Sequence, residues 1–302
     1  MARSKPIIRF QVIHYYLIPL VALVVWWGML IAMLAVWGAQ GRPIYSFMNG
    51  EYQNPVYISD IGATNIQPLF ISCSGFQAIF FVGTLVMGFY LRKVKKIQPY
   101  IDKHQPRLAI ASIICAIIGQ LGILFVSIFN TRNFHSVHLA MVGIFIAFCF
   151  FACVCDFAIS CIFGLHPSKL DPVHDQVIFG KNRLANLYFV AFIMKLIWLC
   201  CALAFAICFG TYMRQDKDSK SAVFEWLISF WYGLLLVIWS IDLLPSAIRK
   251  YRYKHPEQYP RYQNLQDSSQ WEKDIRNHGI DNNSTMSMDD HPTYVASVNP
   301  VV

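Results

Sequence analysis

The chain has 302 residues, of which 56% are hydrophobic, 15% aromatic and only 14% charged, against about a quarter charged in ordinary soluble domains. A mean hydropathy of +0.43 excludes a water-soluble globule, because polar surface is too scarce to cover one and lipid must take its place. The net charge of +8 sits in short clusters at the ends of apolar runs, as membrane topology requires, so the basic balance does not imply a nucleic-acid partner.

Apolar runs long enough to cross a bilayer as helices fall at residues 16–37, 69–91, 108–129, 139–165, 184–209 and 223–248. The expected fold is therefore all-α, a polytopic membrane protein whose residues 1–254 form one six-transmembrane-helix bundle. The first run follows Arg3, Lys5 and Arg9 but is longer than a signal-peptide core and lacks a small-residue cleavage site, so it is expected to stay as a span. Neither a myristoylation start nor a prenylation box is present. From 255 to 302 Gln, Asn, Ser and Asp replace the apolar residues, the composition of a disordered tail.

Of the 25 Lys and Arg residues, only Arg42, Arg132, Arg214, Lys217 and Lys220 fall in connections on one side, and Lys195 lies inside a span. The others share the opposite side, which places both termini in the cytosol. The sequons at Asn282 and Asn283 would then stay unglycosylated, and Ser284, Thr285 and Ser287 in the same tail offer phosphorylation sites. All nine cysteines lie within the spans, where thiols behave as small hydrophobes. Cys161 and Cys208, near span ends, are candidates for acylation. No metal site and no cofactor are expected: Cys149, Cys153 and Asp156 have no histidine near them in sequence.

Charge at membrane depth marks candidate function. Asp156 lies about nine residues from the inner end of the fourth span and Lys195 about eleven from that of the fifth, so a rise of about 1.5 Å per residue puts them within one turn in depth. They are expected to pair, with Asp242 of the sixth span joining or facing water, and a neutralised structural network is favoured over a relay. On the outer side, Asp60, His135, His138 and Glu225 fall at helix ends where the long 38–68 loop can fold over the bundle as a cap. Two carboxylates and two imidazoles could do acid–base work. Against that, Glu225 reads as a carboxylate in the first turn of its helix and Asp60 as a turn cap, which need no catalysis. On the inner side, Arg92, Lys93, Lys95 and Lys96, and Arg249, Lys250, Arg252 and Lys254, form basic clusters next to spans, suited to anionic lipid as well as to topology.

Three stretches resemble the eukaryotic Frag/DRAM/Sfk family of six-span proteins. Pro55-Val-Tyr-Ile-Ser59-Asp60-Ile-Gly62 is similar to its first-loop P-x-I-S-D-x-G motif with one residue inserted after the proline. Phe129-Asn130 followed by His138 resembles the second motif, and Ala222-Val-Phe-Glu225-Trp226 the third. Where many relatives carry His-Asp, this chain has His138-Leu139. Length, cytosolic termini and polar tail look most like the fungal Sfk branch. The resemblance implies a non-enzymatic, multi-pass plasma-membrane regulator that supports a peripheral phosphatidylinositol 4-kinase complex, phosphoinositide supply and lipid organisation, with anionic phospholipid, phosphoinositide and sterol as lipid partners. Another branch remodels glycosylphosphatidylinositol-anchor lipid in the Golgi, so a lipid-modifying enzyme using His138, Glu225 and Asp60 is the alternative reading, with a Golgi or vacuolar/lysosomal location. A transporter built on Asp156 and Lys195 is a third.

Overall fold

The structure, a computed structural model, describes residues 14–48, 52–170 and 186–254, the last without the side chains of 249, 250 and 252–254. Seven α-helices occur among the described residues: α1 (Leu17–Ala39), the short α2 (Ile58–Gly62), α3 (Gln67–Lys93), α4 (Gln105–Ile128), α5 (Thr131–Leu165), α6 (Leu187–Arg214) and α7 (Asp218–Lys254). No strand occurs among these residues. Six of the helices are long and apolar enough to cross a membrane, which is the expected six-span all-α architecture. In hydrocarbon every backbone N–H and C=O must be satisfied within the chain, and helices do that locally.

The helices begin and end with residues that tolerate those positions. Pro68 and Pro106 sit in the first turns of α3 and α4, where a missing N–H costs nothing. Asn130 caps α5 by accepting from the Asn133 N–H, and Asn186 caps α6 by accepting from Tyr188. The α3 helix closes with Lys95 in the left-handed region (φ +56°) and the Lys96 N–H bonded back to the Leu91 carbonyl at 2.8 Å, a Schellman ending made without glycine.

Three of the expected boundaries need correction. The fourth span begins at Thr131 rather than 139, because a polar first turn joins the apolar helix through non-helical Phe134. The fifth ends at Arg214 rather than 209. The sixth begins at Asp218 rather than 223, since a polar opening turn carries no hydropathy signal.

Packing is uneven around the bundle. Helices α4 and α5 approach closely because Gly119 and Gly122 face Cys149 and Phe145, where an added Cβ would come within 2.9 Å of the opposing helix. Along the same seam Ser112 Oγ donates to the Ala152 carbonyl at 2.8 Å and the Gln105 side-chain amide to that of Ile159 at 3.3 Å. Helix α7 is the hub: the indole N–H groups of Trp26, Trp27 and Trp198 donate to the successive carbonyls of Ser229, Phe230 and Trp231. Trp231 returns a bond to Trp198 at 3.0 Å. Gly233 leaves room for the Trp27 ring, against which a Cβ would collide.

Two helices are left thinly covered. In their most apolar stretches 22% of α5 and 17% of α6 is buried, against 44% for both α4 and α7. The tail at 255–302 with its sequons and phosphorylation candidates, Arg3, Lys5, Arg9, Lys181 and Arg183, and the side chains of Arg249, Lys250, Arg252 and Lys254 lie outside what is described.

Candidate functional site

The first connection folds over one end of the bundle, and two carboxylates make its helix possible. α2 has only five residues and its buried Ile58 and Ile61 join the main core, so its free backbone donors face little water. Glu225 supplies the missing acceptor. Its carboxylate receives the Ile58 N–H at 2.7 Å and also interacts with the Ser59 N–H. Asp60 reaches back one turn to the N–H of Tyr57, the residue capping the helix, which is half of a capping box; Glu225, from another helix, stands in for the other half. Glu225 thus lies two turns inside α7, not in its first turn, and caps a different helix from its own.

The rest of the loop motif is held in the same way. Trp226 Nε1 donates to the Val56 carbonyl at 3.0 Å, the Tyr57 hydroxyl donates to Asp218 at 2.9 Å, and the Asn54 N–H donates to Ser219 Oγ at 3.0 Å. Gly62 is required because a Cβ there would press against the Phe70 ring. Pro55 leads into this segment and Ser59 faces a cavity described below. Asp60 is 7% exposed; burial lifts its carboxyl to about 7 from an ordinary 3.8, opposed by the Tyr57 N–H and assisted by the Asp218 charge.

The second motif closes the end of α4. A helix leaves its last four carbonyls without intrahelical donors, and here two side chains supply them. His138, 3% exposed, places Nδ1 3.0 Å from the Val126 carbonyl and 2.9 Å from that of Phe129, so Nδ1 carries the proton and donates. The Gln67 amide donates to the intervening Ser127 and Ile128 carbonyls at 3.1 and 3.0 Å. Asn130 then links the pieces by donating to Gln67 Oε1 at 3.2 Å. His135 stands apart, paired with Thr131 on the exposed side. Gln67 escaped sequence reasoning; a glutamine before a proline carries no signal for capping another helix.

The charged cluster lies deeper, toward the opposite end. Lys195, 1% exposed, sits 3.1 Å from Asp156 and 2.5 Å from Asp242, with Ser160 Oγ at 2.8 Å as a third partner. Trp239 Nε1 donates to Asp156 at 3.0 Å. The two carboxylates keep 20% and 18% exposure because they face a chamber of about 40 Å³ shared with Arg92, Tyr100 and Ser112. That is room for water with several polar partners. No grouping of three or more His, Cys, Asp or Glu suited to a metal occurs among the described residues.

Arg92 is turned inward: its guanidinium lies 4.8 Å from the Phe163 ring centre and donates to the Gln98 carbonyl at 2.9 Å. Lys93, Lys95 and Lys96 are exposed beside it, and Lys96 also reaches the Tyr15 hydroxyl at 3.2 Å.

Between the clasp and the cluster lies a cavity of about 380 Å³, walled mainly by α5, α6 and α7 and completed by Trp26, Phe70, Ile123 and Val126. Phe145, Cys149, Trp198, Ala202 and Ala206 line its wall, and Ser59 with Glu225 lies at its cap end.

Residues 14–246 match the family described as the Frag1/DRAM/Sfk1/Cwh43P N-terminal domain. The chain is 36% identical over 298 residues to Protein SFK1 of Saccharomyces cerevisiae, covering 82% of this chain and 83% of that protein. It is 25% identical over 239 residues to Protein sfk1 of Schizosaccharomyces pombe, covering 79% of this chain and 66% of that protein. No solved structure matches it. A six-span bundle whose clasp is built from the three motif stretches, matched along nearly all of its membrane portion, belongs to the Frag1/DRAM/Sfk1/Cwh43P family, on its fungal Sfk branch.

Proposed function

We propose that this multi-pass membrane protein acts without catalysis in the plasma membrane, as a regulator that supports a peripheral phosphatidylinositol 4-kinase complex and phosphoinositide supply. Its basic end then faces the cytosol, with both termini on that side. The observation that carries the non-catalytic part is the commitment of the motif side chains: Glu225 and Asp60 hold the amides that start α2, and His138 holds the carbonyls that end α4. A general acid or base must reach its substrate, whereas His138 is 3% exposed and Glu225 and Asp60 are engaged by backbone amides of the cap. The kinase-supporting part rests on likeness to the fungal Sfk branch, and the exposed Lys93, Lys95 and Lys96 are consistent with it, since each basic residue beside an anionic leaflet adds about 1 kcal/mol of attraction.

One observation favours the alternative of a lipid-modifying enzyme: Glu225 and Ser59 border the large apolar cavity. Replacing His138 and Glu225 singly by alanine, and measuring protein abundance together with plasma-membrane phosphatidylinositol 4-phosphate, separates the two. The regulator reading expects lipid to fall only in proportion to abundance. Loss of lipid at normal abundance would point to an active site. Imaging the tagged protein tests the compartment, and a Golgi or vacuolar location would remove the plasma-membrane role.

A further inference from the structure

The cavity among α5, α6 and α7 is too large to be a packing defect. Protein interiors hold few voids bigger than a water molecule, and an apolar cavity of about 150 Å³ already takes up benzene; this one measures about 380 Å³. The two helices α5 and α6 are in close contact at one end. Near the basic end Gly164 lies so close to Phe189 that a Cβ would sit 2.8 Å from the Phe189 Cα. Further along, Ala147 on α5 and Ala202 and Ala206 on α6 are among the small residues that line the cavity.

Water is a poor occupant. A buried water needs two to four polar partners, and most of the wall is carbon. In mid-wall the Tyr232 hydroxyl and the Cys149 thiol are already engaged by Gln77 and Gln120, which leaves Ser229 and Cys153 as the other polar side chains there. The surroundings supply a better one. Phe151, Val154, Ile197, Leu203 and Ile207 on the same two helices are exposed and apolar at membrane depth, so the medium beside the cavity is lipid hydrocarbon. A chain entering from lipid gains little from the hydrophobic effect but recovers the dispersion contacts that an empty wall forgoes. The one ionisable carboxyl in the wall, Glu225, lies with Ser59 at the cap end, which gives an amphiphile a direction.

We propose that this cavity is a binding site for one acyl chain of a phospholipid from the cap-side leaflet, with the ester end toward Ser59 and Glu225 and the methyl end toward Leu235. The site does not depend on the kinase-support reading. It makes α2 and its clasp the lid of a lipid site.

The test uses the full chain in phosphatidylcholine vesicles doped with a phosphatidylcholine whose acyl chain ends in a photoactivated diazirine. In the native protein, adducts should concentrate on peptides carrying Phe145, Cys149 and Cys153 and on those carrying Trp198, Ala202 and Ala206, above the level at Ile79, which is 72% exposed on another face. Filling the space with Ala202→Trp, or more mildly with Ala206→Phe, should lower cavity labelling at least about tenfold, equivalent to about 1.4 kcal/mol of lost occupancy, and leave labelling near Ile79 unchanged. Native labelling no higher in the cavity than at Ile79 would overturn the proposal, whatever the variants do. So would undiminished labelling in both folded variants, or displacement of the acyl probe by a diazirine sterol that labels the same peptides.

Discussion

The polar groups at the two ends of the bundle are satisfied in different ways. At the cap end, Glu225, Asp60, His138 and Gln67 each bond backbone groups at helix termini. In the cluster, Lys195 is satisfied by two carboxylates and a hydroxyl on neighbouring spans. A side chain that caps a helix end fixes the chain's path, and what it protects is a buried amide or carbonyl that otherwise lacks a partner. Lys195 and the two carboxylates, which with Arg92 border a water-sized chamber, are a charge balance, sensitive to any change in count. The cap end is thus a structural clasp, and the cluster is the place where removing one group harms the others.

That contrast can be broken by substitution, and the largest effect belongs to the cluster. Lys195→Met removes the direct partner of Asp156 and Asp242, leaving Arg92 across the chamber as their remaining counter-charge, and should cost about 3–5 kcal/mol, seen as a steep fall in melting temperature in nanodiscs. Asp156→Asn added to Lys195→Met should restore part of that loss, because one uncompensated charge disappears.

Next comes the pH dependence of the clasp. The Asp60 carboxyl titrates near 7 when folded and near 3.8 when not, so the folded chain holds the proton more tightly. Its contribution is complete below about pH 4 and is lost as pH rises through 7, by roughly 2–4 kcal/mol. The charged groups around it are Asp218 and Glu225, with the Tyr57 hydroxyl nearby. Asp60→Asn should weaken the fall of the melting temperature across that range, and a native profile already flat would contradict the assignment.

Smaller effects sharpen the distinction. His138→Ala leaves the Val126 and Phe129 carbonyls without their donor and should cost about 2 kcal/mol, read as lower abundance with unchanged lipid phenotype per molecule. Lys95→Gly, at φ +56°, relieves a left-handed penalty of about 1 kcal/mol at the loss of the lysine side chain, so the melting temperature should rise by a few degrees at most.

The spans were readable from sequence because hydrocarbon leaves the backbone no other way to satisfy itself. Depth counting along two helices brought Asp156 and Lys195 to one level, and they stand 3.1 Å apart. Hydropathy failed where helices start in polar residues: Asp218-Ser-Lys-Ser adds an opening to α7 that moved Glu225 out of the first turn. Its true partner, Ile58, is 167 residues away, and no local rule connects them. Arg92 looked like the first member of a lipid-facing cluster, yet an adjacent ring and carbonyl draw it inward. The cavity is lined by residues drawn from several helices, with alanines of α5 and α6 among them, and such a set leaves no periodicity to read.

The clasp itself is most directly tested by hydrogen exchange across residues 55–64 of the full chain in lipid. Exchange at Ile58 and Ser59 should be slow in the native protein and fast in Glu225→Ala, with the α3 and α4 cores unchanged. Fast exchange in the native protein, or equal protection after Glu225 is removed, would contradict the structural role assigned to the motif.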